Sequence, residues 1–228
     1  MKPDALKLKR NEAGEECGAQ IPASGFLPTV WQRIELFVVV VFIHLFDHMV
    51  SENLTGSGVL SPEASGVIST FESVGGILLF FLGVVAIAAL LKSSRRMTAF
   101  VVAVYLSFAL LHLLVNMSAI LLTADHRRGQ PLVELWDVIM VYFMGVLVFT
   151  AWYWLLDRTI PGGAFLFPNE RCKRTIIDYL FISFNTSATY GPTTEVPTSQ
   201  VAKVLMMLQV CSSLLVLTVL LTRAISGW

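Results

Sequence analysis

The residues of this chain best suited to handling an ion lie in two places. Thr186, Ser187, Ala188, Thr189, Tyr190 and Gly191 form a hydroxyl-bearing turn between a short apolar segment and a long one. Threonine hydroxyls and backbone carbonyls gathered around an axis can replace part of a cation's hydration shell. His44, Asp47 and His48 form an H-x-x-D-H pattern at i, i+3 and i+4, which sets two imidazoles and a carboxylate on one helix face. Such a set can hold zinc or another divalent metal, with His112 as a fourth ligand. The plainer reading, adopted here, is a polar cluster at the membrane interface, solvated or paired with arginine or backbone carbonyls.

The elements that position these residues follow from composition. The chain has 228 residues, 55% of them hydrophobic and only 14% charged, with a mean hydropathy of +0.71. A soluble domain carries roughly 25% charged residues, so the fold class expected is all-α: a polytopic helical membrane protein. Sixteen basic residues balance sixteen acidic ones, which gives no global field for nucleic acid. Cys17, Cys172 and Cys211 form no CxxC pair, so neither a disulfide framework nor a thiolate metal site is indicated. Cys211, in an apolar helix, is expected in the core. No cleavable signal peptide is evident, because the first apolar run ends in His44, Asp47 and His48.

Residues 1–29 read as a mobile polar tail. Residues 30–132 read as an N-terminal three-helix bundle with spans of about Val30 to Val50, Gly66 to Leu91 and Thr98 to Thr123. Gly75, Gly76 and Gly83 allow close helix approach in the second span, and His112 and Asn116 share one face of the third. Residues 133–228 form the second module: a span from about Val133 to Leu156, a connector, an apolar segment 175–187 and a last span from about Ser199 to Ile225. At 1.5 Å per residue the segment 175–187 covers only ~20 Å, short of the bilayer core, so it is expected to be re-entrant. Trp152, Tyr153 and Trp154 have the composition of an interfacial aromatic belt. About five transmembrane helices plus a re-entrant half-helix and loop are therefore expected. Glu72 and Asp137, ionisable and within spans, are candidates for a polar pathway or for interhelical hydrogen bonding.

The stretch Thr186 to Gly191 resembles the filter of a potassium-channel pore module, whose signature is TVGYG. An aromatic-rich segment (Tyr179, Phe181, Phe184) precedes it, and Pro197 and an inner-helix-like span follow. The resemblance covers roughly Val133 to Ile225. It implies a homotetramer in which Thr186 to Gly191 line a monovalent-cation path and Met206, Met207 and Gln209 line the inner helix. Thr189 stands where the family has its first filter glycine, Pro192 replaces an acidic residue, and the loop to Pro197 is about two residues longer. The chain also resembles a bacterial family of multi-span membrane proteins, without assigned activity, through FLFP (Phe165 to Pro168), the DYL start at Asp178 and AKVLMMLQ (Ala202 to Gln209).

Charge placement sets an orientation. With the tail in the cytoplasm, thirteen basic residues fall on that side, from Lys2 to Lys203, against Arg127, Arg128 and Arg223 on the other. The turn at 186–191 then opens to the cytoplasmic face, the reverse of potassium channels. An ion-channel-like protein of the cell (inner) membrane is the leading expectation. A non-conducting membrane scaffold or sensor is the alternative, and a metal- or proton-coupled small-solute transporter the third. No nucleotide loop, G-x-S-x-G elbow or HExxH is present, so no enzyme is expected. The partners implied are the bilayer and further copies of the chain. No cofactor is implied beyond a monovalent cation, and a divalent metal is disfavoured.

Overall fold

The computed structural model describes residues 30–56, 58, 60–91, 95–122, 131–167, 174–188 and 195–226. The chain is a polytopic helical membrane protein. Its elements are α1 (Val30–Gly56), α2 (Pro62–Leu91), α3 (Arg95–Leu122), α4 (Pro131–Thr159), β1 (Phe165–Leu166), α5 (Ile176–Ser187), β2 (Val196–Pro197) and α6 (Gln200–Ser226). Five of these helices, all but α5, are long and apolar enough to cross a membrane. The tail 1–29 and the filter residues Thr189, Tyr190 and Gly191 lie outside the described residues.

Helix starts are set by local chemistry. Ser61 accepts the Ala64 amide at 3.2 Å, with Pro62 in the first helical position, where its missing N–H costs nothing. Ser199 does the same for Ala202 at 3.1 Å. Asp178, in the first turn of α5, reaches back to the Thr175 amide at 2.8 Å and accepts the Thr175 hydroxyl at 3.1 Å, which fixes where the half-helix begins.

Helix α4 is the centre of the bundle. Of its apolar window 67% is buried inside the protein, against 17% for α2 and α6 and 33% for α1 and α3. It packs against α1, α3, α5 and α6, and so belongs to both segments into which the sequence divides at residue 132. The aromatic cluster at its end is not a lipid-facing belt. Tyr153 and Trp154 are buried, and the Trp152 indole donates to the Leu106 carbonyl at 3.3 Å, because α4 has helices on most sides where an outer span would meet lipid. Cys211, expected in the core, is exposed; α6 shows most of its apolar surface to the outside, so an apolar neighbourhood there does not mean burial in protein.

The short ladder of β1 and β2 decides the topology. Phe165 pairs with Pro197 and Leu166 with Val196, antiparallel, and the Thr198 amide extends the contact to the Ala164 carbonyl at 2.9 Å. The chain leaves α4, enters the bundle as α5, and is back beside the end of α4 by residue 196. The re-entrant segment is thus anchored at both ends to one end of the bundle.

Candidate functional site

The anchor of the half-helix is Asp157, in the last turn of α4. Its Oδ1 accepts the amides of Ala164 at 2.7 Å and Phe165 at 3.1 Å. Its Oδ2 accepts the Arg174 guanidinium and the Tyr179 hydroxyl, each at 2.6 Å. The turn that allows this is Pro161-Gly162-Gly163, whose glycines sit at φ of +83° and +85°, conformations that favour glycine. Burial works against the charge on Arg174, but the hydrogen bond and charge of Asp157 more than offset it and hold the guanidinium above its ordinary range. The Gln32 side chain donates to the Arg174 carbonyl at 3.2 Å, and Glu35 stands 3.5 Å from the Ile176 amide. The start of α1, the end of α4 and the start of α5 therefore share one level, together with Arg33 and Arg158.

From that level α5 descends. Ile176, Tyr179, Ile182, Ser183, Thr186 and Ser187 are its buried residues, spaced as one helical face that turns from apolar to hydroxyl-bearing with depth. Its lower end reaches the middle of α4, where Phe184 meets Tyr142 edge-on with ring centres 6.5 Å apart. Thr186 donates to the Ile182 carbonyl at 2.7 Å, and the Ala188 amide closes the helix on the Phe184 carbonyl at 2.9 Å. A narrow crevice at this tip is lined by Ser187, by Ser212 and Ser213 of α6, and by Gly145 and Leu113.

Gln209 is where sequence and structure part. It is fully buried, and it faces α5 and α4 within one chain. Its amide nitrogen lies 2.8 Å from the Ser183 carbonyl, 2.8 Å from the Ser183 hydroxyl and 2.6 Å from the Ser187 hydroxyl. Its oxygen accepts the Tyr153 hydroxyl, and Ser183 donates onward to the Val146 carbonyl at 2.7 Å. The channel resemblance places it, with Met206 and Met207, on the lining of the inner helix. Of the other two residues expected there, Met206 is half-buried against the core and Met207 is 60% exposed. Asp157 and Ser183 were not singled out from the sequence, and Tyr153 was read only as part of an aromatic belt; the signal available was a polar residue on the inward face of each apolar helix.

A second polar region occupies the far half of α1. The helix runs to Gly56, a turn and a half past the expected end, and Asp47, expected to be solvated or paired with arginine or backbone carbonyls, is 5% exposed and meets other side chains instead. His44, Asp47 and His48 meet different partners. The His44 ring lies against the glycine pair Gly75 and Gly76 of α2. His48 pairs with Glu72 of α2 and lies 3.9 Å from Glu52. Asp47 turns to α3, where its Oδ1 accepts the Asn116 amide at 3.0 Å and its Oδ2 stands 2.8 Å from His112 Nδ1. Among the described residues no three His, Cys, Asp or Glu side chains converge as a metal site. Glu72 and Asp137 are not brought together either: Asp137, buried on α4, accepts the Asn53 amide at 2.9 Å. Comparison with protein-family models, characterised proteins and solved structures finds no match to this chain.

Proposed function

We propose that the chain is one subunit of a cation-conducting assembly, a homotetramer in the cell (inner) membrane, with α5 as its pore half-helix and Thr186 to Gly191 along the path. One observation carries the reading: α5 starts at the anchored, arginine-bearing end and stops midway down α4, so its C-terminus points into the bilayer centre. A helix C-terminus carries the equivalent of about −0.5 charge and favours a cation, the more so where water is scarce. The outer faces of α5 and α6, with Phe181, Phe184 and Met207 exposed, leave room for other copies beside the half-helix. By the excess of basic residues, the mouth faces the cytoplasm.

The alternative is a non-conducting scaffold or sensor. It is favoured by the hydroxyls of Ser183, Thr186 and Ser187, which are all engaged within one chain. Reconstitution in liposomes with a K⁺ or Na⁺ flux assay decides between them. The channel reading expects flux that Thr189→Ala and Tyr190→Ala change, from a protein that is tetrameric in detergent. Absence of flux from a correctly inserted tetramer, or a monomer in detergent, sinks it.

A further inference from the structure

The seam between α1 and α3 holds four fully buried polar atoms that meet no hydrogen-bond partner among the described residues: Ser51 Oγ, Asn116 Oδ1 and the two His112 nitrogens, of which Nδ1 stands 2.8 Å from Asp47 Oδ2, leaving Nε2 with no close polar group. Ser51, Asn116 and His112 are each no more than 1% exposed. The seam gives them a common setting. Asp47 ties α1 to His112 and Asn116; Ser51 lies one turn beyond Asp47 on α1, as Asn116 lies one turn beyond His112 on α3. The two helices run in the same direction, so Ser51 and Asn116 share a level. Phe71 and Phe108 flank the imidazole, with ring centres 5.3 and 6.3 Å from it, and shut that side with apolar surface.

Buried polar atoms in native proteins are satisfied by protein or by ordered water, and a membrane interior offers no bulk solvent as substitute. Asn116 Oδ1 can only accept, so its partner must donate. Ser51 Oγ can both donate and accept, and His112 Nε2 takes either role according to tautomer. Water is the small ligand that serves all three without adding charge. We infer that the α1–α3 seam is a water-binding site, with water held by Ser51, Asn116 and His112 beside the Asp47 carboxylate. Counted from Glu35, which meets the first residue of α5, Asp47 lies ~18 Å along α1 and Ser51 ~24 Å, against ~18 Å for the tip of α5. The site thus begins at the level of the tip of the half-helix and extends beyond it, between helices other than α5, and it stands whether or not the chain conducts.

Radiolytic hydroxyl-radical footprinting of the full chain in lipid nanodiscs, in ¹⁸O-labelled water with mass-spectrometric readout, tests it, because bound water generates radicals where it sits. His112 is expected to be oxidised while Met144, intrinsically more reactive and equally buried in apolar surroundings, is not. In a Ser51→Ala/Asn116→Leu double variant the His112 signal falls to the Met144 level; Ser51→Ala alone, with partial loss, serves if the double variant does not fold. An unmodified His112 in the wild type overturns the inference, as does a signal unchanged in the variants. Loss of the wild-type signal when sodium replaces choline in the buffer also overturns it, since the occupant is then a cation.

Discussion

The Tyr179 hydroxyl donates to Asp157 Oδ2 at 2.6 Å, binding the first turn of the re-entrant helix to the last turn of the central one. That oxygen also takes Arg174, while the other takes two backbone amides. Asp157→Asn keeps the shape but removes the charge these four donors share. Breaking a buried, hydrogen-bonded charge costs about 3 kcal/mol, and we expect a loss of that order in a detergent-unfolding titration. Stability unchanged within error would show that the connector is held by its apolar contacts instead.

Gly163 and Gly162 separate two causes of the same turn. A Cβ on Gly163 would fall 2.9 Å from Asp157 Oδ1 and 3.2 Å from the Arg174 guanidinium, whereas one on Gly162 meets nothing within 4 Å. Gly162→Ala therefore carries only the cost of a positive φ, about 1 kcal/mol. Gly163→Ala adds displacement of the carboxylate and is expected to cost at least twice as much in the same titration. Equal losses would mean that Asp157 moves freely.

Gln209→Leu leaves the Tyr153 hydroxyl and the Ser183 and Ser187 groups to find other partners in a dry interior. We expect a destabilisation of about 1 to 3 kcal/mol, with Tyr153→Phe losing about 1 kcal/mol. Thermal melts in detergent read both. If Gln209→Leu proves neutral, its amide network is replaceable by packing and the half-helix is held from its anchored end alone.

Asp47 and His112 are expected to be energetically coupled. A double-mutant cycle with Asp47→Asn and His112→Leu should return an interaction energy of at least ~1 kcal/mol, within the range seen for buried contacting pairs. A cycle that closes to zero would make the 2.8 Å approach a bystander of the Asn116 hydrogen bond.

Re-entrance has a direct readout. In a background without Cys17, Cys172 and Cys211, single cysteines at Leu166 and Val196, both exposed, should react with a membrane-impermeant thiol reagent from the same side as one at Arg33. Labelling of the two positions from opposite faces would make α5 a crossing segment.

The sequence by itself determined the number of spans, the position of the half-helix and the inventory of polar groups. Hydrophobic runs and their Ser, Pro and Gly boundaries are local, and a bilayer demands about twenty apolar residues per crossing whatever the neighbours are. Segment 175–187 was readable as too short to span for that reason, and the shared face of His112 and Asn116 followed from helical spacing alone. What tertiary structure decided is which way each polar side chain turns. In a lipid-embedded bundle every span is apolar on most sides, so hydrophobic periodicity, the usual sign of an inward face, is weak. Nothing local tells that Gln209 faces its own half-helix and not an open axis, that Asp47 and His48 part toward α3 and α2, or that Tyr153 and Trp154 lie inside the bundle. The β1–β2 pair, two residues long in each strand, carries no period at all, yet it returns the chain to the end of α4 and makes the half-helix re-entrant.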